Sequence, residues 1–204
     1  MKARSLAHAV LGTLFSSTLL EAQASGPVVR SWIHESHPEC TYKTGVDSLQ
    51  KTDFGRKAII CKGNRITESL ALRNGEGSQS SDKAPLTSSA WLGRTWLLEP
   101  NIMVATYSWE WVVASSSHLD VVQVVELRDH RLVVIQQLEF DTHHGGKNTG
   151  ADYDPRTKIL EIRAVGYSGS EGRCCPSKLK IVKYAWQTNR FHRVSAKILP
   201  MPES

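Results

Sequence analysis

Hydrophobic and polar positions alternate with a period of two through much of the second half of the chain. Met103, Ala105, Tyr107, Trp109, Trp111 and Val113 fall on one side of an extended segment, and Thr106, Ser108 and Glu110 fall on the other. That is the alternation of a half-buried strand with an aromatic face. Val121 to Leu127 and Leu132 to Phe140 follow, joined by the polar corner Arg128-Asp129-His130-Arg131, and read as a hairpin. A second hairpin runs from Tyr153 through a turn at Asp154 to Lys158 into Ile159 to Val165, with Pro155 suited to the second position of a tight turn. A third runs from Leu179 to Trp186, turns at Gln187 to Arg190, and returns as Phe191 to Leu199. Corners near 129, 156 and 188 recur about every 30 residues. The pattern predicts an all-β protein of antiparallel tandem hairpins, arranged as a β-propeller-like stack or a two-sheet sandwich.

Weaker strand signals precede this array at Val28 to His34, Lys57 to Cys61 and Arg65 to Leu72. The stretch 73–90, "RNGEGSQSSDKAPLTSSA", is rich in Gly and Ser and almost free of large apolar residues. It is expected as a flexible loop. The segment before it is too short for a comfortable core of its own, so one domain is expected over residues 25–204.

Residues 1–24 read as a secretory signal peptide. Lys2 and Arg4 lead into a moderately apolar stretch from Leu6 to Leu20, and Ala22-Gln23-Ala24 is an A-x-A-like cleavage site. A membrane anchor is disfavoured because His8, Gly12, Thr13, Ser16 and Ser17 interrupt the apolar run. The mature chain is expected to be secreted or periplasmic, with no transmembrane span. The formal net charge of +5 is spread thinly, without a Lys/Arg run or a basic helix, which points away from nucleic acid. Lys178, Lys180, Lys183, Arg190, Arg193 and Lys197 alternate as on the wet face of strands. Their attraction for an envelope protein or an acidic polymer is the partner reading the charge supports.

In an oxidising compartment the cysteines Cys40, Cys61, Cys174 and Cys175 allow three pairings. Adjacent residues have Cα atoms about 3.8 Å apart, short of the roughly 4.4 to 6.8 Å of an ordinary bridge. A Cys174–Cys175 ring would therefore be strained. The alternative sends the two thiols to opposite faces and bonds each to one of Cys40 and Cys61. Against it, Cys40 and Cys61 enclose about 20 residues and would make an accessible local bridge. The residues alone leave both arrangements open.

"CCPS" between two strands, followed by an extended run ending in Tyr184-x-Trp186 and a turn into Phe191, resembles a pattern in secreted bacterial proteins, LppP/LprE-type lipoproteins among them. The likeness spans about residues 165–194, and this chain has no lipidation cysteine at its cleavage point. The resemblance implies a secreted β protein and brings no activity with it. It also implies pairing of Cys40 with Cys61 and of Cys174 with Cys175.

The candidate chemistry sits in "DTHHGG", where Asp141, His143 and His144 precede a Gly pair. Adjacent histidines lack the spacing of a strong zinc motif and point to opposite faces on a strand, so neither a metal nor another cofactor is expected. "GYSGSEG" narrowly misses the nucleophile elbow G-x-S-x-G, because Ser170 occupies the last glycine position. Trp109 and Trp111 are candidates for an aromatic binding platform, although the continuation of their stripe into Met103, Ala105 and Val113 favours a core face. No constellation supplies a nucleophile, a base and an orienting group together. The expectation is a non-catalytic binding module. The alternative is a metal-dependent hydrolase or thiol-redox protein using His143 and His144 or the Cys174/Cys175 pair.

Overall fold

The computed structural model describes residues 29–31, 33–54, 59–62, 70–73, 76–81, 84–112, 117–142, 148–168, 171 and 175–202. Residues 1–24, expected as a signal peptide, and His143, His144 and Cys174 lie outside them. The described chain forms fourteen strands and no helix. They are β1 Val29–Ser31, β2 Ile33–Ser36, β3 Cys40–Thr44, β4 Ile59–Ile60, β5 Leu70–Ala71, β6 Glu76–Ser81, β7 Ala84–Glu99, β8 Ile102–Val112, β9 Ser117–Arg128, β10 Arg131–Asp141, β11 Gly150–Asp154, β12 Ile159–Ser168, β13 Lys178–Gln187 and β14 Arg190–Pro200.

A seven-stranded sheet runs β2-β10-β9-β8-β7-β6, with β3 also on β10; a five-stranded sheet runs β1-β12-β13-β14, with β11 also on β12. Strands β4 and β5 pair separately, and every pairing is antiparallel. The three expected hairpins are present, and their corners have the chemistry the turns need. Asp129 and His130, and likewise Thr188 and Asn189, are left-handed pairs with φ between 46° and 60°. Such pairs form two-residue turns whose twist matches that of the strands. In the middle hairpin the Asp154 carboxylate accepts the Arg156 N–H and the Thr157 hydroxyl, each at 2.9 Å.

The hairpins share two continuous sheets packed face to face, so the arrangement is a sandwich and not a stack of propeller blades. Between the sheets lie Ile102, Val104, Val122, Val124, Leu138, Phe140, Leu160, Ile162, Val182 and Phe191. An edge-on aromatic chain binds this layer, with centroids 6.3 Å apart for Trp96–Tyr153, 5.9 Å for Tyr153–Phe191 and 5.1 Å for Trp186–Phe191. The opposite face of the larger sheet is covered too. Val46, Leu49, Phe54, Ile60 and Leu72 pack there on Met103, Tyr107, Trp109, Val121 and Val125. The larger sheet is thus a middle layer, and residues 132–140 of β10 are buried without interruption. Burial on both faces explains why β9 and β10 read as near-continuous apolar runs instead of alternating.

Two buried glutamines organise β10. A register shift between Val134 and Gln136 lets Ile135 and Gln136 both face the smaller sheet. Gln136 Nε2 donates to the Phe191 carbonyl at 2.8 Å and to Glu35 Oε1 at 2.6 Å, and its Oε1 accepts the Phe191 N–H at 2.8 Å. The Ile135 carbonyl in the bulge accepts from His37 Nδ1 at 3.2 Å. On the opposite face Gln137 Nε2 donates to the Cys61 carbonyl at 3.0 Å and to Glu139 Oε1 at 2.9 Å, while its Oε1 accepts from Gln123 at 2.8 Å.

The stretch 73–90 is not the flexible loop expected of it. Most of it is strand, with β6 paired to β7 from Glu76↔Trp91 to Ser81↔Ala84. Ladder hydrogen bonds come from the backbone and need no apolar side chains, so a Ser-rich segment can extend a sheet beyond its core. Cys40 and Cys61 are disulfide-bonded with Cα atoms 6.3 Å apart, which ties β3 to the covering layer. Cys175 is exposed, and its expected bond to Cys174 falls outside the described residues.

Candidate functional site

The inward side of β8 and β9 changes character along its length. Ile102, Val104, Val122 and Val124 meet the smaller sheet, whereas Thr106, Ser108 and Asp120 beyond them open into a cleft of about 370 Å³. Its far wall comes from Thr149 to Asp152 of β11 and its approach, and from Glu161 and Arg163 of β12. A bulge in β7 at Gly93 and Arg94 forms the rim. Glycine is required there because a Cβ on Gly93 would sit 2.6 Å from Thr106 Oγ1. That hydroxyl is held in place: it accepts the Arg94 N–H at 2.7 Å and donates to the Arg94 carbonyl at 3.3 Å.

Most charges of the cleft are already matched. Arg94 Nη1 meets Asp152 Oδ1 at 3.0 Å, which joins the two sheets across the rim. Arg163 lies 2.6 Å from Glu161, and Lys183 lies 3.4 Å from its other oxygen. Burial alone would raise the Glu161 carboxyl, but the hydrogen bonds and charges of Arg163 and Lys183 outweigh it and hold the group below its ordinary range.

Asp120 differs. Burial pushes its carboxyl above the usual range and the charge of Asp141 adds to the effect, against opposition from the Ser108 hydrogen bond, the His118 charge and Thr142. Ser108, its cross-strand partner, donates to Asp120 Oδ1 at 2.8 Å. His118 is itself 3.4 Å from Glu110. Among the described residues no lysine or arginine forms an ion pair with Asp120. A desolvated carboxyl in a hydroxyl-lined cleft can hold a cationic group or, when protonated, donate a hydrogen bond.

Of the residues singled out from sequence, Asp141 ends β10, half-buried and close enough to act on Asp120. Trp109 is 8% exposed and packs in the core beneath the covering layer, not on a surface platform. Trp111 pairs with Ser117 in the ladder, and its side chain lies outside the description, as do His143 and His144. Among the described residues no group of three or more His, Cys, Asp or Glu side chains converges to hold a metal. No helix there is long and apolar enough to cross a membrane. Asp120 and Ser108 are the residues sequence reasoning missed. Each reads as an ordinary wet-face position, and only the hairpin register that sets them opposite each other reveals the pair.

No family model matches the chain, and neither a curated protein nor a solved structure is similar to it.

Proposed function

We propose that the protein is a secreted or periplasmic, non-catalytic binding module whose cleft between the sheets holds a small polar ligand bearing a cationic amine. The observation that carries this reading is Asp120, a half-buried carboxyl flanked by Ser108 and opening into a cleft whose other charged groups are paired. An ammonium group placed against it would recover the Coulomb energy that burial leaves unused, and Thr106, Ser108 and Thr149 offer hydroxyls to a polar ligand body. The matched pairs at the rim and far wall suit a preformed site, since they need no rearrangement on binding. The Cys40–Cys61 disulfide supports an oxidising compartment.

Titration calorimetry with glucosamine and with glucose tests the reading. Glucosamine is expected to bind the parent, glucose is expected to bind far more weakly, and Asp120→Asn should remove the difference. Equal binding of both sugars, or an unchanged preference in Asp120→Asn, would refute it.

A further inference from the structure

The last hairpin carries a surface of a different kind, on strands whose residues do not line the cleft. Strand β14 is eleven residues long and pairs with β13 alone; among the described residues no strand lies along its outer edge. Beyond Phe191 every residue of the strand is exposed, including Val194 at 54%, Ile198 at 48% and Leu199 at 38%. The Phe191 N–H and carbonyl at the start of this edge are already taken by Gln136, and residues 192–200 beyond it offer a row of backbone donors and acceptors to any extended chain.

Charge narrows the choice of occupant. Strands β13 and β14 together hold six lysines and arginines and no acidic residue. The crowding is felt within the hairpin, where burial and then the Arg193 charge lower the pKa of Lys180. Two copies of β14 laid edge to edge would bring Arg190, Arg193 and Lys197 of each against the same three of the other with no acidic residue between them, an accumulation of like charge that opposes self-pairing. The register shift opposite Lys183 and Tyr184 also bulges the strand at Val194 and works against flat self-pairing. These devices repel a second copy and leave an acidic strand free to approach.

We propose that β14 is a docking edge for an extended acidic segment of a protein partner, which joins the smaller sheet as an added strand. Backbone pairing would supply the contact, and Arg190, Arg193 and Lys197 would select the charge. Val194, Ile198 and Leu199 would pack against alternate side chains of the incoming strand.

The test uses a fluorescein-labelled peptide of about ten residues, alternating threonine and glutamate, long enough to span the edge. Its binding to the purified protein is followed by anisotropy. Two control peptides accompany it, one N-methylated at alternate residues and one with lysine in place of glutamate. The acidic peptide is expected to bind, and binding should fall about tenfold or more on N-methylation, in Arg193→Glu/Lys197→Glu, or between about 0.05 M and 0.5 M salt. Equal binding of the lysine peptide would overturn the charge assignment. Equal binding of the N-methylated peptide to the parent would overturn strand addition and leave only charge attraction. A parent protein that sediments as a dimer, and becomes monomeric on Val194→Pro, would assign the edge to a second copy instead.

Discussion

Replacing Gln136 with leucine tests how much one buried side chain adds to the fastening of the two sheets. Gln136 is fully buried and makes three hydrogen bonds, two of them to the backbone of Phe191, which is itself 1% exposed. Leucine fills a similar volume, so little of the effect would come from a cavity. It would leave the Phe191 N–H and carbonyl buried and unpaired, at about 1 to 3 kcal/mol each. Glu35 is partly exposed and can turn to water. Leucine regains about 1 kcal/mol from its greater apolar area, leaving a net loss of about 3 kcal/mol. In urea this should lower the unfolding midpoint by about 1.5 M at unchanged slope, taking a slope of about 2 kcal/mol per molar. The melting temperature should fall by about 6 to 12 °C for a domain of this size. Tryptophan fluorescence suits the measurement because Trp186 packs against Phe191. A midpoint within error of the parent would show that the bulge in β10 does not serve to deliver this side chain.

Asp120→Asn should stabilise the protein at neutral pH while abolishing the proposed amine binding. A carboxyl whose folded-state pKa is raised contributes stability that is complete below its unfolded value of about 3.9 and lost as pH rises through the folded value. The gain in the variant's unfolding midpoint should therefore disappear below about pH 4, and a constant gain at all pH would refute the assignment. Gly93→Ala forces a Cβ to within 2.6 Å of the Thr106 hydroxyl and should cost about 1 to 3 kcal/mol. Thr106→Ala should relieve part of that cost, measured as a coupling in a double-mutant cycle. Cys40→Ala/Cys61→Ala should lose about 3 kcal/mol by urea unfolding, since the bridge closes a loop of about 20 residues.

Where one face of a strand is wet and its neighbour in sequence is its neighbour in space, the fold was legible. The corners at 129, 156 and 188 are real turns, and the stripe Met103, Ala105, Tyr107 and Trp109 is a core face. The covering layer was harder to see, because the described residues between Val46 and Leu72 include only the two short strands β4 and β5 and pack mainly through isolated apolar side chains. Strand β7 escaped for a different reason. Its first half carries small polar residues, and the bulge between Leu92 and Thr95 breaks the alternation that Trp91, Trp96 and Leu98 would otherwise display. Asp120 was invisible because its significance is not local. It depends on Ser108 across the ladder and on a smaller sheet that stops short of it.

The placement of the first strands bears on how the chain reaches this structure. Strands β1, β2 and β3 leave the ribosome early, yet β1 is completed by β12, and both β2 and β3 by β10. The contact between His37 and Ile135 spans 98 residues, and the one between Glu35 and Gln136 spans 101. Nearly the whole chain must therefore be present before its beginning can be stored. A newly made chain would carry an unpaired edge and the apolar residues of its covering layer in the open until β10 arrives. Pairings of such separation close slowly, on the scale of milliseconds to seconds, and their exposed intermediates are the species that chaperones bind.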